Sequence, residues 1–243
     1  MRFAVQLYSL RELAQREGAE SVFRTVAQAG YDGVEFAGFY DLTPLQMKEM
    51  CARYGLRPVS AHIGVDSIAS SKEYIEALGI EKVFIPWIGK ETYDDPAAYA
   101  SVCKAIEQAR AALPNDVQLG YHNHAHEFEG GRDRLAKLLR DLPFLSAELD
   151  VFWVTVAGLD AVKYMESLQD RLSFVHIKEA AAEHPAESAQ PIVGEGAIDM
   201  RGVFSHMRER KTDWAVLEVE SYPCGEAEYL CRSLENMKKL AKD

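Results

Sequence analysis

The sequence predicts an α/β protein whose eight parallel strands close into a (β/α)8 barrel, as a single domain over residues 1–243. Eight short apolar runs alternate with stretches that show helical spacing. Each interval leaves room for the crossover helix that parallel strands require, and 243 residues suffice for one such barrel. The predicted strands are residues 3–9, 33–37, 58–62, 82–87, 117–124, 145–152, 173–179 and 215–220.

The segments between these strands carry helix signals. Thr43 is a candidate N-cap, Pro44 suits the first helical position, Gln46 completes a capping box and Gly55 can end the helix. Residues 180–198 show no such signal and are predicted to form a long loop after strand seven. The other predicted helices are residues 19–29, 71–78, 96–113, 132–139, 160–168, 199–209 and 226–241.

Composition and net charge limit the kinds of partner that this protein is expected to bind. Hydrophobic residues make up 48% of the chain and the formal net charge is −11, a field that repels nucleic acid and anionic membrane surfaces. The start, Met1 to Val5, enters a strand-like run without a leader pattern, and no apolar stretch is long enough to span a bilayer. We therefore expect a cytoplasmic protein that binds a small molecule, and the sequence indicates no oligomeric state.

Two alternatives have little support. A doubly wound sheet would carry a glycine-rich turn after its first strand, whereas this chain continues as Tyr8-Ser9-Leu10-Arg11. The four cysteines include no CxxC pair, so neither a structural disulfide nor a thiolate zinc cluster is expected.

Ionisable side chains stand at the ends of the last four strands. Residues two apart on a strand share a face, so these side chains form same-face pairs. If the strands are parallel, the pairs converge on one rim, which predicts a metal site or an acid/base site. The pairs are His122 with His124, Glu148 with Asp150, His176 with Lys178, and Glu218 with Glu220.

Alternation with apolar neighbours predicts that these polar members point into the barrel. An inward charge must be paired, bound to metal or kept wet, because an isolated buried charge is costly. Asp150, His176 and Glu218 are the best candidate metal ligands, although the first two could simply hydrogen-bond in a polar barrel mouth. Oxygen and nitrogen donors without thiolate suit Mn²⁺, Mg²⁺, Co²⁺ or Zn²⁺. His122 could bind metal, contact substrate or only fill the mouth.

Other residues at the strand ends are candidates for binding substrate. Glu35 and His62 end strands two and three with the same parity, so they could bind substrate or support other groups. His124 is a second candidate on strand five. Trp87 could form an apolar wall behind a sugar ring or plug the barrel. Glu148 lies one pleat deeper than Asp150 and could pair with Lys178, a structural role for both.

Five motifs in chain order resemble the sugar phosphate isomerase/epimerase family of the xylose-isomerase-like TIM barrel superfamily. The resemblance runs from the first strand to the last helix. The motifs are YHNH at 121–124 with Glu127-Phe128, ELDVFW at 148–153, HIKE at 176–179, VGEGAID at 193–199 and LEVE at 217–220.

The resemblance implies a divalent metal, most often Mn²⁺, held by one residue from each of strands five to eight. Asp150, His176 and Glu218 match three of these ligands. The fourth is glutamate in the sugar epimerases, whereas this chain has His122. Epimerases use two metal-binding glutamates as opposed acid and base, so His122 changes the chemistry that this site would perform.

The implied activity is that of a metal-dependent isomerase or epimerase, which moves a proton on a small sugar or polyol through an enediolate. Glu218 is the expected base, and His122 or Lys178 the expected acid. Glu195, in the motif after strand seven, is expected to bind substrate. A lyase or dehydratase acting on a keto-cyclitol or 3-keto sugar is the alternative, and a non-catalytic sugar-binding barrel is a remote one.

Overall fold

The computed structural model describes residues 1–242, and its eight parallel strands form a closed barrel in chain order. Register between Ala4 of the first strand and Val216 of the last completes the circle. The (β/α)8 fold predicted from the sequence is therefore confirmed. The strands are β1 Arg2–Gln6, β2 Gly33–Ala37, β3 Arg57–His62, β4 Lys82–Ile85, β5 Gln118–His122, β6 Ser146–Asp150, β7 Leu172–Ile177 and β8 Trp214–Leu217.

The α-helices surround this barrel, and a long irregular loop follows β7 as predicted. None of the described helices is long and apolar enough to cross a membrane. The helices are α1 Arg11–Glu17, α2 Ala19–Ala29, α3 Pro44–Tyr54, α4 Lys72–Leu78, α5 Lys90–Asp94, α6 Pro96–Ala112, α7 Arg134–Asp141, α8 Val151–Val156, α9 Ala161–Leu168, α10 Met200–Glu209 and α11 Glu226–Leu240.

Several predicted strands extend too far at their carboxyl ends. The run 145–152 is the clearest case, because β6 stops at Asp150 and the chain turns at once into α8. The Asp150 carboxylate accepts hydrogen bonds from the backbone N–H groups of Phe152 and Trp153 and so caps this helix. Apolar residues at 151 and 152 continue the strand pattern, so no local pattern indicates the turn. The short helices α1 and α5 were also not predicted.

The barrel interior has an apolar base and a polar upper layer. Alternate residues of β7 show this, because Phe174 lies in the basal cluster while His176 lies above it, fully buried. Val175 and Ile177 face the helices and belong to the main core, which confirms the parity predicted from the sequence. At Gly120 a Cβ atom would come within 2.5 Å of the Phe84 ring, so glycine is needed where the basal cluster fills the barrel.

Candidate metal centre and active site

Four side chains from neighbouring strand ends converge above the apolar base. His122, Asp150, His176 and Glu218 each offer one potential ligand atom, and these atoms all lie within 4.8 Å of one another. All four side chains are buried. The predicted ligands from strands five to eight are therefore brought together.

Local hydrogen bonds hold β5 and β6 in this register. The Asn123 amide accepts a hydrogen bond from the Asp150 backbone N–H at 3.0 Å and donates to the Asp150 carbonyl oxygen at 3.4 Å. Asp150 Oδ1 is occupied by the N-terminus of α8. Only Oδ2 of this carboxylate is free to face the cluster.

Two buried atoms of the cluster lack hydrogen-bond partners. Asp150 Oδ2 and His122 Nδ1 both have none, although His122 Nδ1 lies 3.3 Å from Glu148 Oε2 and Asp150 Oδ2 lies 3.8 Å from Lys178 Nζ. Buried polar atoms are normally satisfied, and leaving one without a partner is costly. An oxygen and nitrogen donor set with unsatisfied atoms fits a divalent cation, whose identity the donors do not specify.

Glu35, which lies beneath the cluster, orients His176 as a candidate metal ligand. His176 Nε2 lies 2.7 Å from Glu35 Oε1, while its Nδ1 lies 3.2 Å from Glu218 Oε2 and faces the cluster. A carboxylate behind an imidazole sets the ring orientation and raises its basicity as a ligand. Glu35 is fully buried and also accepts a hydrogen bond from Ser60 Oγ. It lies beneath the cluster rather than at a surface open to substrate.

A second layer of buried charge includes His62 and Glu148. His62 Nε2 lies 2.6 Å from Glu148 Oε2 and 3.2 Å from Glu35 Oε1, and its ring stacks on His176 with centroids 5.3 Å apart. Burial by itself lowers the pKa of His62, but the two carboxylates outweigh burial and raise it to about 10. His62 is therefore a cation that balances carboxylates under the site.

The predicted pair of Glu148 with Lys178 is wrong. Glu148 contacts histidines, as just described, whereas Lys178 Nζ lies 2.5 Å from Glu220, 3.4 Å from Glu218 and 3.8 Å from Asp150. Lys178 follows the end of β7, where it reaches over the cluster rather than down to the deeper pleat. Burial disfavours the ammonium, but these three carboxylates prevail and raise the pKa of Lys178 above its ordinary value.

The protonation states divide the cluster into distinct roles. Burial lowers the pKa of His122 well below its ordinary value, so this imidazole is neutral and suited to bind metal. Burial opposes ionisation of Glu218, but Lys178 and His176 outweigh it and hold the pKa of that carboxyl well below its usual range. Burial raises the pKa of Asp150 to about 7, with Lys178 opposing that shift. Glu218 is therefore the ionised carboxylate of the cluster.

A cavity of about 490 Å³ opens over the cluster at the carboxyl ends of the strands. Trp87 is 56% exposed on its rim and packs on His124, with ring centroids 4.9 Å apart. Burial lowers the pKa of His124 to about 3, so it is neutral. The lining residues are Gln6, Tyr8, Ala37, His62, Pro86, Trp87, His122, His124, Trp153, Glu218 and Glu220.

Three of the predicted substrate-binding residues, His62, Trp87 and His124, line this cavity, whereas Glu35 and Glu195 do not. Glu195 is about half exposed and pairs with Arg232 of α11 at 3.1 Å. Glu195 lies away from the cavity, so it is not placed to contact a substrate there. Glycines on both sides leave its segment free to turn outward, and Gly194 takes a φ of 81°.

Sequence reasoning missed Gln6, Tyr8 and Trp153 as cavity residues. Gln6 ends β1, Tyr8 lies in the 3₁₀ turn that follows, and Trp153 lies in the first turn of α8. Position after a strand end was the available signal, because loops at this end of the barrel line the site. The predicted strand 3–9 included Gln6 and Tyr8, and the predicted strand 145–152 ended just before Trp153. None of the three was therefore recognised as part of a turn that follows a strand end.

Solved structures with the same fold share little sequence with this chain. A sugar phosphate isomerase/epimerase from Parabacteroides distasonis is 20% identical, with a TM-score of 0.80 and 98% of each chain covered. D-allulose 3-epimerase from Methylomonas sp. is 15% identical, with a TM-score of 0.71 and coverage of 99% of this chain and 98% of that one. The probable 3-DHS dehydratase involved in petrobactin synthesis from Bacillus anthracis is 13% identical, with a TM-score of 0.74, covering 98% and 99%.

At these identities the solved structures show the shared fold alone. A search of curated proteins returns no significant match. The family model described as xylose isomerase-like TIM barrel matches residues 23–240, which is most of the chain. The closed eight-stranded barrel and the buried histidine and carboxylate cluster agree with that match. The chain therefore belongs to the xylose isomerase-like TIM barrel family.

Proposed function

We propose that this protein is a metal-dependent isomerase or epimerase that moves a proton on a small sugar or polyol. One observation carries the proposal: Glu218, ionised beside Lys178, belongs to the four-residue cluster and also lines the open cavity. A substrate in the cavity would therefore contact the same carboxylate that completes the candidate metal site.

His122, Asp150, His176 and Glu218 are the residues that would hold the metal. A divalent ion there would polarise a carbonyl and an adjacent hydroxyl, which acidifies the hydrogen on the carbon between them. Glu218 takes that proton, because its lowered pKa keeps it ionised. Lys178 remains charged next to Glu218 and keeps that carboxylate ionised, although it has no surface on the cavity itself.

The cavity favours isomerisation over epimerisation. Inversion at carbon requires that a proton leave one face and return on the other, so two opposed proton-transfer groups are needed. Both carboxylates of the cavity, Glu218 and Glu220, follow β8 and thus stand on one side. His122 stands on another strand, but burial lowers its pKa and keeps its imidazole neutral, so it holds no acidic proton to donate. A single carboxylate suits transfer between adjacent carbons on one face.

A lyase or dehydratase is the second candidate. The pair of Lys178 and Glu220, 2.5 Å apart, adjoins the proposed base. Glu220 lines the cavity, so a proton held between Lys178 and Glu220 can pass through Glu220 to a departing hydroxyl group. The same Glu218 step would then begin an elimination rather than a proton return.

Deuterium uptake from D₂O into a panel of ketoses, 3-keto sugars and inososes tests the proposal. Glu218→Gln should remove nearly all exchange at the substrate carbon, because the base is lost. His122→Gln should retain partial exchange, because His122 holds metal and transfers no proton. Glu49→Gln, on an exposed position of α3, is the matched control and should exchange as the unaltered protein does.

Each outcome has a distinct meaning. Undiminished exchange in Glu218→Gln would refute the single-carboxylate mechanism, and no exchange with any member of the panel would refute the proposed class of reaction. Exchange accompanied by loss of water identifies the lyase. Gain of 3-epimerase activity in His122→Glu would show that this one substitution separates the chain from the epimerases.

A further inference from the structure

Besides His62, Glu218 and Glu220, the lining of the cavity over the cluster consists of uncharged side chains, several of them polar or aromatic. Gln6 Nε2, His124 Nδ1 and Trp153 Nε1 are buried, line the cavity and have no hydrogen-bond partner. Unsatisfied buried donors and acceptors are costly, so they indicate groups that a ligand completes. Uncharged donors and acceptors of this kind match hydroxyl groups.

The cavity lining offers little for a phosphate to bind, because His62, a cationic side chain on it, is already held by Glu35 and Glu148. Among residues 1–242, no lysine or arginine lines the cavity, whereas Glu218 and Glu220 do. The nearest lysine, Lys178, is enclosed by carboxylates and has no exposed surface. Arg11 lies outside Tyr8, over its ring, and donates to the carbonyl oxygens of Tyr8 and Glu220. Phosphate sites normally use arginine, lysine or free backbone N–H groups.

The loop after β7, a common phosphate site in barrels of this kind, is filled by the protein itself. The Glu179 carboxylate accepts hydrogen bonds from the backbone N–H groups of Ala180, Gly194 and Ile198 at 2.9 to 3.1 Å. A Cβ at Gly196 would come within 2.5 Å of the Glu179 side chain, so the loop closes tightly on it. An internal carboxylate thus already takes these backbone N–H groups, so they are not available to a phosphate group.

Aromatic rings extend from this cavity to the outer rim. Tyr8 is 47% exposed and Trp87 is 56% exposed, and they stand beyond β1 and β4 respectively. Trp153 lies deeper and contacts His124, with ring centroids 5.4 Å apart. A sugar ring placed at Glu218 uses the deep groups, which leaves the exposed parts of Trp87 and of Tyr8, whose ring has Arg11 on one face, for something further out. Exposed aromatic faces at a binding site mark apolar contact surface.

We infer that the substrate is an uncharged keto-glycoside: a sugar that keeps a carbonyl beside a hydroxyl, carries no phosphate and bears an apolar substituent that packs against Tyr8 and Trp87. This inference rests on the proposed function, because it places the sugar ring at Glu218. Gln6, His124 and Trp153 bind ring hydroxyls, and the two rim aromatics bind the substituent.

Binding to paired probes tests the inference without requiring turnover. The probes are methyl and p-nitrophenyl glycosides of glucose, galactose, mannose and xylose in both anomers, which lack the carbonyl and so report binding alone, together with the free hexoses and their 6-phosphates. Calorimetry and tryptophan fluorescence report binding, and two of the three tryptophans line the cavity. At least one p-nitrophenyl glycoside should bind about threefold to tenfold more tightly than its methyl partner, the range expected for one aromatic contact. No 6-phosphate should bind more tightly than its parent sugar.

Substitution of the two rim aromatics tests where the apolar substituent binds. Trp87→Ala and Tyr8→Ala should each remove the preference for p-nitrophenyl over methyl glycosides while methyl glycoside binding persists. Phe144→Ala is the matched control, since Phe144 is 39% exposed in the segment before β6, at the opposite end of the barrel, and should change nothing. A 6-phosphate that binds more tightly than its sugar, equal binding of both glycosides, or no binding by the whole panel would overturn the inference.

Different results would contradict the proposed function and this inference. Binding of the p-nitrophenyl glycosides should persist in Glu218→Gln, in which proton exchange is lost. Glycoside binding without exchange by any substrate would leave the inference standing and refute the enzyme proposal. Exchange into free ketoses without preference for glycosides would do the reverse.

Discussion

Glu35 illustrates how a buried residue away from the cavity lining can control the candidate site. Its carboxylate lies 2.7 Å from His176 Nε2, and the other ring nitrogen faces Glu218. Burial raises the pKa of Glu35, but His62 and His176 more than offset that and hold it below its usual range. Glu35 is therefore ionised and fixes the orientation of the His176 ring, whose Nδ1 faces the cluster.

We predict that Glu35→Gln weakens metal binding by about 10-fold to 100-fold, the usual cost of losing the carboxylate behind a histidine ligand. Competition with a fluorescent chelator measures the metal dissociation constant. Glu49→Gln is again the control. Equal affinity in Glu35→Gln and the unaltered protein would show that Glu35 does not orient His176 for metal.

His62 makes the stability of the metal-free protein depend on pH. Its folded-state pKa is about 10, whereas an unfolded histidine titrates near pH 6.5. A raised folded-state pKa contributes stability that is fully present below about pH 6.5 and is lost as pH rises toward about 10. The free energy of unfolding of chelator-treated protein should therefore decrease across this window. His62→Gln should show a smaller decrease by urea denaturation, and an identical decrease would rule out the ion pairs of His62 as its source.

At the scale of elements, α3 shows how local sequence begins a helix. Thr43 accepts a hydrogen bond from the Gln46 backbone N–H, and the Gln46 side chain accepts one from the Thr43 backbone N–H. Pro44 opens the helix and Gly55 ends it at a φ of 64°. Both hydrogen bonds join residues that are three apart in the chain, so the capping box could be predicted from the local sequence.

We predict that Thr43→Ala lowers the free energy of unfolding by about 1 kcal/mol, because the first turn of α3 loses its cap. Thr43→Ser should retain most of this energy, since the hydroxyl remains. Urea denaturation measures both, and metal affinity should not change because α3 contributes no cluster residue. Equal stability of the alanine and unaltered proteins would contradict the prediction.

At the scale of the whole molecule, the cluster joins strands five to eight, so a bound metal should stabilise the entire barrel. A ligand that binds only the folded state at 100 times its dissociation constant adds about 2.7 kcal/mol. We therefore predict that Mn²⁺ raises Tm and that chelator lowers it again. Calorimetry measures the shift, and Mg²⁺, Co²⁺ and Zn²⁺ compared in parallel identify the preferred ion.

Asp150→Ala should abolish this metal-dependent shift. The substitution also removes the cap of α8, at a cost of about 1 kcal/mol. Asp95→Ala is therefore the matched control, because Asp95 caps α6 through Ala97 N at 2.8 Å and belongs to no cluster. It should lose similar basal stability and keep the full metal shift. A metal shift that persists in Asp150→Ala would exclude Asp150 as a ligand.

Much of the barrel and part of the site were readable along the chain. Alternation of Val175 and Ile177 with His176 predicted which side chains point inward, because strand periodicity is a local property. The convergence of Asp150, His176 and Glu218 followed from parallel strands. Strand ends were less predictable, because a carboxylate such as that of Asp150 ends a strand and starts a helix only when its hydrogen bonds to α8 form.

The sequence by itself determined the number and order of strands and the set of polar side chains at their ends, because spacing and periodicity within one segment decide both. Only the tertiary structure decided the partners of those side chains. Lys178 pairs with Glu220 rather than with Glu148, and Glu179 rather than Glu195 turns inward from its loop. Ion pairs between strands depend on barrel stagger and distance in three dimensions, which no single segment contains.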